Sequence, residues 1–479
     1  MNIINEKCQV FTPKNIVNEL LDNIGYVNLL HGKKILENSC GDGSFLVGVV
    51  DRYIRDSILH GFTLDKIVKG LESDIYGIEI DQRHIDNCIR NLNDIANHYN
   101  LPKVNWKILN EDVLKFKFDI KFQFVVGNPP YITYSELDKY TRQYIKENFQ
   151  TCSSGKPDYY YAFIESAIRC LADDGKLAYL VPNNFMKNRF AEDLRNYLLP
   201  HLKDIYNYTS IKLFSNKLTS SAIVICDMQY KSNEITYFDI KKNIDFKILK
   251  RNLQDKWVFV RENQNIQTDQ ITFGDYFKAS CSIATLLNEV FIIKKYKEEK
   301  NYLVVGNFKI EKEILVETVS PRSLNYDRKE YLLFPYEYEN NKLIRYTEEE
   351  FISRYPYATE YLSFYKGKLL KRVADGNAKW FEFGRSQALA HLRQEKLLLS
   401  TLITDKVKVY MLQKDVIPYS GIYIIPKEKY KLQKAYDILN SADFLKYAES
   451  IGINSNGKSI RISPRDINNY KFNQNILFK

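Results

Sequence analysis

Val125-Val126-Gly127-Asn128-Pro129-Pro130-Tyr131 is the stretch on which the reading of this chain turns. The run from Phe122 to Val126 has the length and apolar content of a buried strand, and Gly127 ends it. Each proline holds its φ at about −65° and lacks an N–H, and Pro130 keeps Pro129 extended, so the loop is stiff. It presents the Asn128 side-chain oxygen, the Pro129 carbonyl and the Tyr131 ring at a strand's end. Two acceptors beside a flat ring suit a planar group that carries an NH₂. A rigid turn without chemistry fits the same residues, so the surrounding chain decides between the two.

Upstream, Thr12 and Pro13 have the types of a helix cap and first helical residue, and Ile16, Val17, Leu20 and Leu21 form the helix's apolar face. Lys34-Ile35-Leu36-Glu37-Asn38-Ser39-Cys40-Gly41-Asp42-Gly43-Ser44-Phe45-Leu46 reads as strand, glycine-rich turn and helix. A third glycine is missing, which argues against a dinucleotide fingerprint, and no Gly-Lys-Ser/Thr follows, which argues against a P-loop. The acidic strand end, Glu37, suits a cationic ligand. After a helix expected over 51–73, Ile75 to Asp81 reads as a second strand ending in carboxylates, and it carries Glu79 in the position where doubly wound folds bind ribose hydroxyls. A helix over 83–98 leads to Trp106 to Leu114, read as a third strand with an acidic end at Asp112. Taken singly, each carboxylate suits a cap or a solvated turn. Three in register at the ends of parallel strands mark the ligand crevice of an open α/β sheet.

Downstream, Tyr134 to Phe149 reads as a helical or mobile segment, and Pro157 to Leu171 contains an amphipathic helix. The strand Leu177 to Val181 follows, then a closing pair at 205–211 and 220–228 with Phe214 between them. Residues 231–270 are charged and weakly periodic, a linker or an edge elaboration. The expected division is therefore 1–240 and 241–479. The second part is expected to hold a strand at 289–293 and apolar strands at 397–403 and 420–425.

The net charge of +10 is unevenly placed. Residues 1–230 hold 27 Lys+Arg against 28 Asp+Glu, whereas 231–479 hold 42 against 31. A near-neutral half joined to a basic half suits a catalytic domain and a polyanion-binding domain. Arg322, Arg328, Arg345, Arg354, Lys371, Arg372, Arg385 and Arg393, interleaved with aromatics, suit phosphate and base-edge contacts. The 7 cysteines form no CxxC pair and only 6 histidines are present, so a metal site is not expected. No apolar run is long enough to span a bilayer, and the start lacks the apolar stretch of a signal peptide, so a cytoplasmic protein is expected.

Taken in order, the Thr-Pro segment, glycine-rich turn, acidic strand ends, Asn-Pro-Pro-Tyr loop and basic second domain resemble the amino-methyltransferases of bacterial restriction–modification systems. The arrangement is similar to the gamma class of N6-adenine DNA methyltransferases, of the TaqI-like kind. The likeness runs over residues 9–228 and is patchier beyond, where it rests on Ile283-Ala284-Thr285 and Trp380 to Gln387. It implies an α/β fold, with a doubly wound Rossmann-like methyltransferase domain and a C-terminal mixed α/β target recognition domain. A basic cleft between them would take double-stranded DNA. The implied cofactor is S-adenosylmethionine, with Glu37 and the turn of Cys40, Gly41, Asp42 and Gly43 at its methionine end, Glu79 on its ribose, and Asp112 and Val113 at its adenine. Thr12 and Pro130 would also touch it. Asn128 and Pro129 would hold the target amine, and Tyr131 and Phe214 would cover the two faces of a flipped base. A monomer is implied, with any cognate restriction endonuclease acting separately, since the chain begins directly at the Thr-Pro segment. Asn38 departs from the family pattern, which usually has proline there.

Three other chemistries compete. Cytosine C5 methylation needs a Pro-Cys nucleophile that this sequence lacks. N4-cytosine methylation uses the same amine logic, more often with Ser-Pro-Pro-Tyr. RNA and protein-glutamine N-methyltransferases share Asn-Pro-Pro-Tyr but are usually shorter.

Overall fold

The computed structural model describes residues 12–209, 211, 220–253, 255–259, 270–340, 342–428, 430–454 and 459–478. Phe214 lies outside them. The chain divides into two compact units, Met1–Gln264 and Asn265–Lys479.

Nine strands form the sheet of the first unit. They are β1 (Ile35–Glu37), β2 (Ile75–Glu79), β3 (Lys107–Asn110), β4 (Phe122–Gly127), β5 (Leu171–Pro182), β6 (Leu202–Asn207), β7 (Ser221–Asp227), β8 (Glu234–Asp239) and β9 (Ile244–Leu249). Their order is β3-β2-β1-β4-β5-β7-β6-β8-β9. All pairings from β3 to β5 are parallel. β7 runs antiparallel between β5 and β6. The order reverses where β1 meets β4, and at such a switch point a crevice opens beyond the carboxyl ends of the strands.

Successive strand residues face opposite sides of a sheet, so a central strand covered on both sides must be apolar throughout. Leu36, Val125, Leu177 and Tyr179 share one core with helix α6 (Tyr160–Cys170) and α7 (Glu192–Leu198). Ile35, Phe124, Val126 and Ala178 share the other with α1 (Lys14–Asn23), α2 (Ser44–Leu59), α3 (Leu64–Asp74) and α4 (Gln82–His98). Each fully buried Val or Leu side chain contributes about 1.5–3 kcal/mol. This double burial makes β4 and β5 rigid, and they carry the Asn-Pro-Pro-Tyr loop on one side of the switch point. The outer strand β3 is exposed or half-buried along its length.

The doubly wound expectation holds, with three differences in detail. The helix expected over 51–73 is two helices, because Gly61 at φ +72° ends α2 and Thr63 caps α3 by accepting from Lys66 N. Thr12 does not cap α1, whose N-cap is Pro13. Residues 234–249, expected to straddle a boundary at 240/241, form a hairpin that extends the sheet through a parallel β6–β8 pairing. The division accordingly lies at Gln264/Asn265. The segment 134–149 contains a helix, α5 (Lys139–Asn148), capped by Asp138.

The second unit is mixed α/β. A four-stranded sheet orders Phe277–Cys281, Ile422–Pro426, Lys396–Leu399 and Val409–Leu412, and another joins Ile292–Ile293, Glu330–Leu333, Leu315–Val319 and Ile417–Pro418. The strand expected over 289–293 is only Ile292–Ile293, because Asn288–Phe291 turns as a short helix. The two stretches of family likeness meet here through an isolated antiparallel bridge between Ala284 and Arg385. In Trp380 to Gln387 the alternate residues Phe381 and Phe383 are core, and Glu382 is buried.

Candidate active site

A cavity of about 950 Å³ lies where the carboxyl ends of β1, β2 and β4 converge. One wall is the stiff corner Asn128, Pro129, Pro130 and Tyr131. Glu37, Glu79, Asp112 and Val113 also line it. Of the expected residues, Thr12, Cys40 and Gly41 reach it too. Gly43 does not line the cavity. It takes φ +82° as the N-cap of α2, and a Cβ there would stand 2.6 Å from Cys88 Sγ. Its role is to let the turn pass close to α4 at a left-handed φ, where a Cβ would press on the Cys88 side chain.

Glu37 is 2% exposed, and its Oε2 has no hydrogen-bond partner among the described residues. Burial raises its carboxyl well above the usual carboxylate range, and the neighbouring Cys88 and Glu79 act in the same direction. A buried acceptor left unsatisfied is costly, so this atom fits a ligand that brings a cation or an N–H donor. Glu79 is held differently. Its Oε1 accepts from Ile80 N and Asp81 N at 2.8 and 3.0 Å, and its Oε2 accepts from Gly41 N at 3.1 Å. These bonds fix the carboxylate at the end of β2 and tie it to the glycine turn. Asp112 accepts from Leu114 N at 3.1 Å and pairs with Lys115 at 3.1 Å, which raises the lysine's pKa. It lies two residues beyond β3, on the turn after the strand.

The corner is oriented from two sides. Asn128 Nδ2 donates to Thr12 Oγ1 at 3.3 Å. An amide that donates with its nitrogen keeps its oxygen as the acceptor, so Thr12 sets the sense in which Asn128 faces a ligand. The Tyr131 hydroxyl donates to the Leu180 carbonyl on β5 at 3.1 Å, and its ring meets Tyr160 edge-on at 6.3 Å. Burial raises the phenol's pKa, so it stays neutral. Asn38, which replaces the usual proline, is 1% exposed and accepts from the Tyr179 hydroxyl while donating to Phe163 O at 3.4 Å. Side-chain bonds thus supply the stiffness that a proline would have given.

Asp42, placed with the glycine turn by the family likeness, also lines the cavity, whereas sequence reasoning missed His84, Tyr159 and Phe163. The aromatics stood in a run read only as a helix start, and no local pattern marks His84.

In the second unit, several of the expected DNA-contacting cations bind the protein itself. Arg345 pairs with buried Glu382, and Arg354 with Glu337 at 2.7 Å. Arg372 donates to the carbonyls of Thr285, Trp380 and Glu382 at 2.6, 3.1 and 3.0 Å. Arg393 donates to Tyr338 O at 3.0 Å. Arg322 and Arg328 instead line a smaller cavity of about 190 Å³ with Lys294.

No helix among the described residues is long and apolar enough to cross a membrane.

Comparison with known proteins follows the same outline. The chain is 30% identical over 229 residues to the type II methyltransferase M.BstVI of Geobacillus stearothermophilus, a match that takes in 44% of this chain and 40% of that one. It is 24% identical over 555 aligned positions to the type II restriction enzyme and methyltransferase RM.Eco57I of Escherichia coli, across 92% of this chain and 54% of that one. The chain thus spans about half the length of the curated relatives it matches. In fold it resembles the type IIL restriction-modification enzyme MmeI, solved in complex with DNA, with a TM-score of 0.60 at 15% identity over 95% of this chain and 64% of that one. It also resembles a nuclease-deletion mutant of the type ISP enzyme LlaGI, with a TM-score of 0.56 at 14% identity over 91% of this chain and 44% of that one. Residues 56–214, which carry Glu79, Asp112 and the whole Asn-Pro-Pro-Tyr corner, match the family of Eco57I restriction-modification methylases.

Proposed function

We propose that this chain transfers a methyl group from S-adenosylmethionine to the N6 amine of an adenine in double-stranded DNA, as a modification methyltransferase of a restriction system. The observation that carries this reading is the single cavity joining the carboxylates Glu37, Glu79 and Asp112 to the corner Asn128 to Tyr131. Bound S-adenosylmethionine supplies an electrophilic methyl on a sulfonium. Glu37 offers its unsatisfied oxygen to the cationic end of that molecule, Glu79 its fixed carboxylate to the ribose, and Asp112 an acceptor to the adenine amine.

The target amine is a weak nucleophile because its lone pair is delocalised into the ring. The Asn128 oxygen and the Pro129 carbonyl each accept one of its hydrogens, which favours a pyramidal nitrogen with its lone pair directed at the methyl. This is positioning and electrostatics, and it needs no strong base. A base within a duplex cannot reach such a corner, so the enzyme acts on an extruded one. Tyr131, tethered to Leu180 by its hydroxyl, offers its ring to one face of that base.

Incubation with methyl-labelled S-adenosylmethionine and duplex DNA, followed by nucleoside analysis, is expected to place the label in N6-methyldeoxyadenosine. Label in N4-methyldeoxycytidine would overturn the choice of base, and label only in RNA or protein would overturn the choice of substrate.

Tyr131→Ala is expected to weaken capture of the base by about 1–3 kcal/mol, the usual scale for a base stacked on an aromatic side chain. Tyr131→Phe keeps the ring and is expected to retain most of the activity. Fluorescence of 2-aminopurine at the target position reports extrusion directly. Wild-type extrusion and rate in the alanine variant would remove Tyr131 from the base site.

A further inference from the structure

The turn between β1 and α2 is gripped from outside by α4. Asp42 stands between Gly41 at φ +50° and Gly43 at φ +82°. His84 Nδ1 donates to Asp42 Oδ1 at 2.5 Å, and Asn87 Nδ2 donates to the same oxygen at 3.3 Å. Asn91 Nδ2 donates to the Asp42 carbonyl at 2.9 Å. Positions 84, 87 and 91 fall on one stripe of a helix, beside the stripe Ile85, Cys88, Leu92 and Ala96 that enters the core. From the strand side, Cys40 N donates to Ile78 O at 3.0 Å and Gly41 N to Glu79 Oε2 at 3.1 Å. Asp42 and His84 also line the cavity, with side chains 16% and 15% exposed.

We propose that His84 is a positioning residue that acts through Asp42, holding the glycine turn in its ligand-ready shape and thereby setting the affinity for S-adenosylmethionine. The inference rests on the cofactor site argued above. Two glycines in the left-handed region make the turn permissive, and a permissive turn must be ordered when a ligand binds. A clamp already closed in the free protein removes that ordering from the binding step. A stripe that only packed α4 against the sheet would need no polar residues aimed at one aspartate.

The test compares wild type, His84→Ala and His84→Asn in the full chain. The asparagine amide nitrogen stands where Nδ1 of histidine does and can donate to Asp42. Three quantities are read: the Kd for S-adenosylhomocysteine by calorimetry, KM and kcat for S-adenosylmethionine, and the Tm of the free protein. His84→Ala is expected to raise Kd and KM together by about tenfold, the scale of one charge-assisted hydrogen bond, with kcat moving less than KM. His84→Asn is expected to recover most of that loss. If His84→Ala fails to fold, Asn91→Ala at the exposed end of the stripe is expected to shift Kd in the same direction by about threefold. An alanine variant with lowered Tm but wild-type Kd, or an asparagine variant as weak as the alanine one, would overturn the clamp alone. Wild-type protein that bound no S-adenosylhomocysteine would overturn the cofactor site, and the clamp with it.

Discussion

Asn128→Ala is expected to lower kcat for methyl transfer by at least about 10²–10³-fold, the effect of removing one preorganised polar group from a developing charge. S-adenosylhomocysteine binding is expected to stay within a few-fold of wild type, because Glu37 and Glu79, proposed for its cationic and ribose ends, belong to β1 and β2 and the corner to β4. The substitution removes an acceptor that Pro129, through its carbonyl alone, cannot replace. Asn128→Asp provides the contrast. It keeps an oxygen at the corner but loses the Nδ2 that donates to Thr12, so Thr12 must turn its own hydroxyl to donate instead. Partial activity is expected from the aspartate and almost none from the alanine, measured on duplex DNA with saturating cofactor. Near-wild-type turnover by Asn128→Ala would sink the mechanism, whereas a loss of cofactor binding would mean that the corner is a structural strut of the cavity.

The parts of this site that were legible in the sequence are those whose cause is local. Two consecutive prolines stiffen a loop wherever they occur, and an acidic residue at the end of an apolar strand is visible in the residue order. Hence Glu37, Glu79, Asp112 and Asn128 to Tyr131 stand out in the residue order, and all line one cavity. The orienting bonds were not legible because their partners are distant along the chain. Thr12 and Asn128 are separated by 116 residues, and Asp42 and His84 by 42. Thr12 before Pro13 reads locally as a helix cap, and only the tertiary fold assigns its hydroxyl to Asn128. The hairpin β8–β9 was unresolved for a similar reason. The edge strand β9 is largely exposed or half-buried and β8 beside it buries only Ile235 and Tyr237, so the pattern cannot separate a sheet edge from a linker. In the second unit, sequence shows which residues are cations but not which ones already serve an internal carboxylate or carbonyl. Arg345 and Arg372 illustrate the difference.

Glu37→Gln is expected to separate stability from binding. In the free protein the Glu37 carboxyl is buried and its pKa is raised above the unfolded value. Its contribution to stability is therefore fully present below the ordinary carboxylate pKa and is lost as pH rises through the raised one. Glutamine fills the same space and carries no charge, so the variant should escape that loss. Its Tm is expected to exceed that of wild type at pH 8, with the gap closing toward pH 4–5. Binding should move the opposite way. A cationic ligand gains from the ionised carboxylate and nothing comparable from an amide, and truncating one partner of a buried charge pair costs about 2–5 kcal/mol. The Kd of Glu37→Gln for S-adenosylhomocysteine should thus rise by on the order of 10²-fold or more. For wild type the same logic makes affinity fall as pH is lowered through the raised pKa. Binding should also release a proton, which calorimetry in two buffers of different ionisation enthalpy detects. A glutamine variant that binds as tightly as wild type, or one whose Tm at pH 8 is lower, would show that Glu37 already has its counter-charge within the fold and that the cation site lies elsewhere.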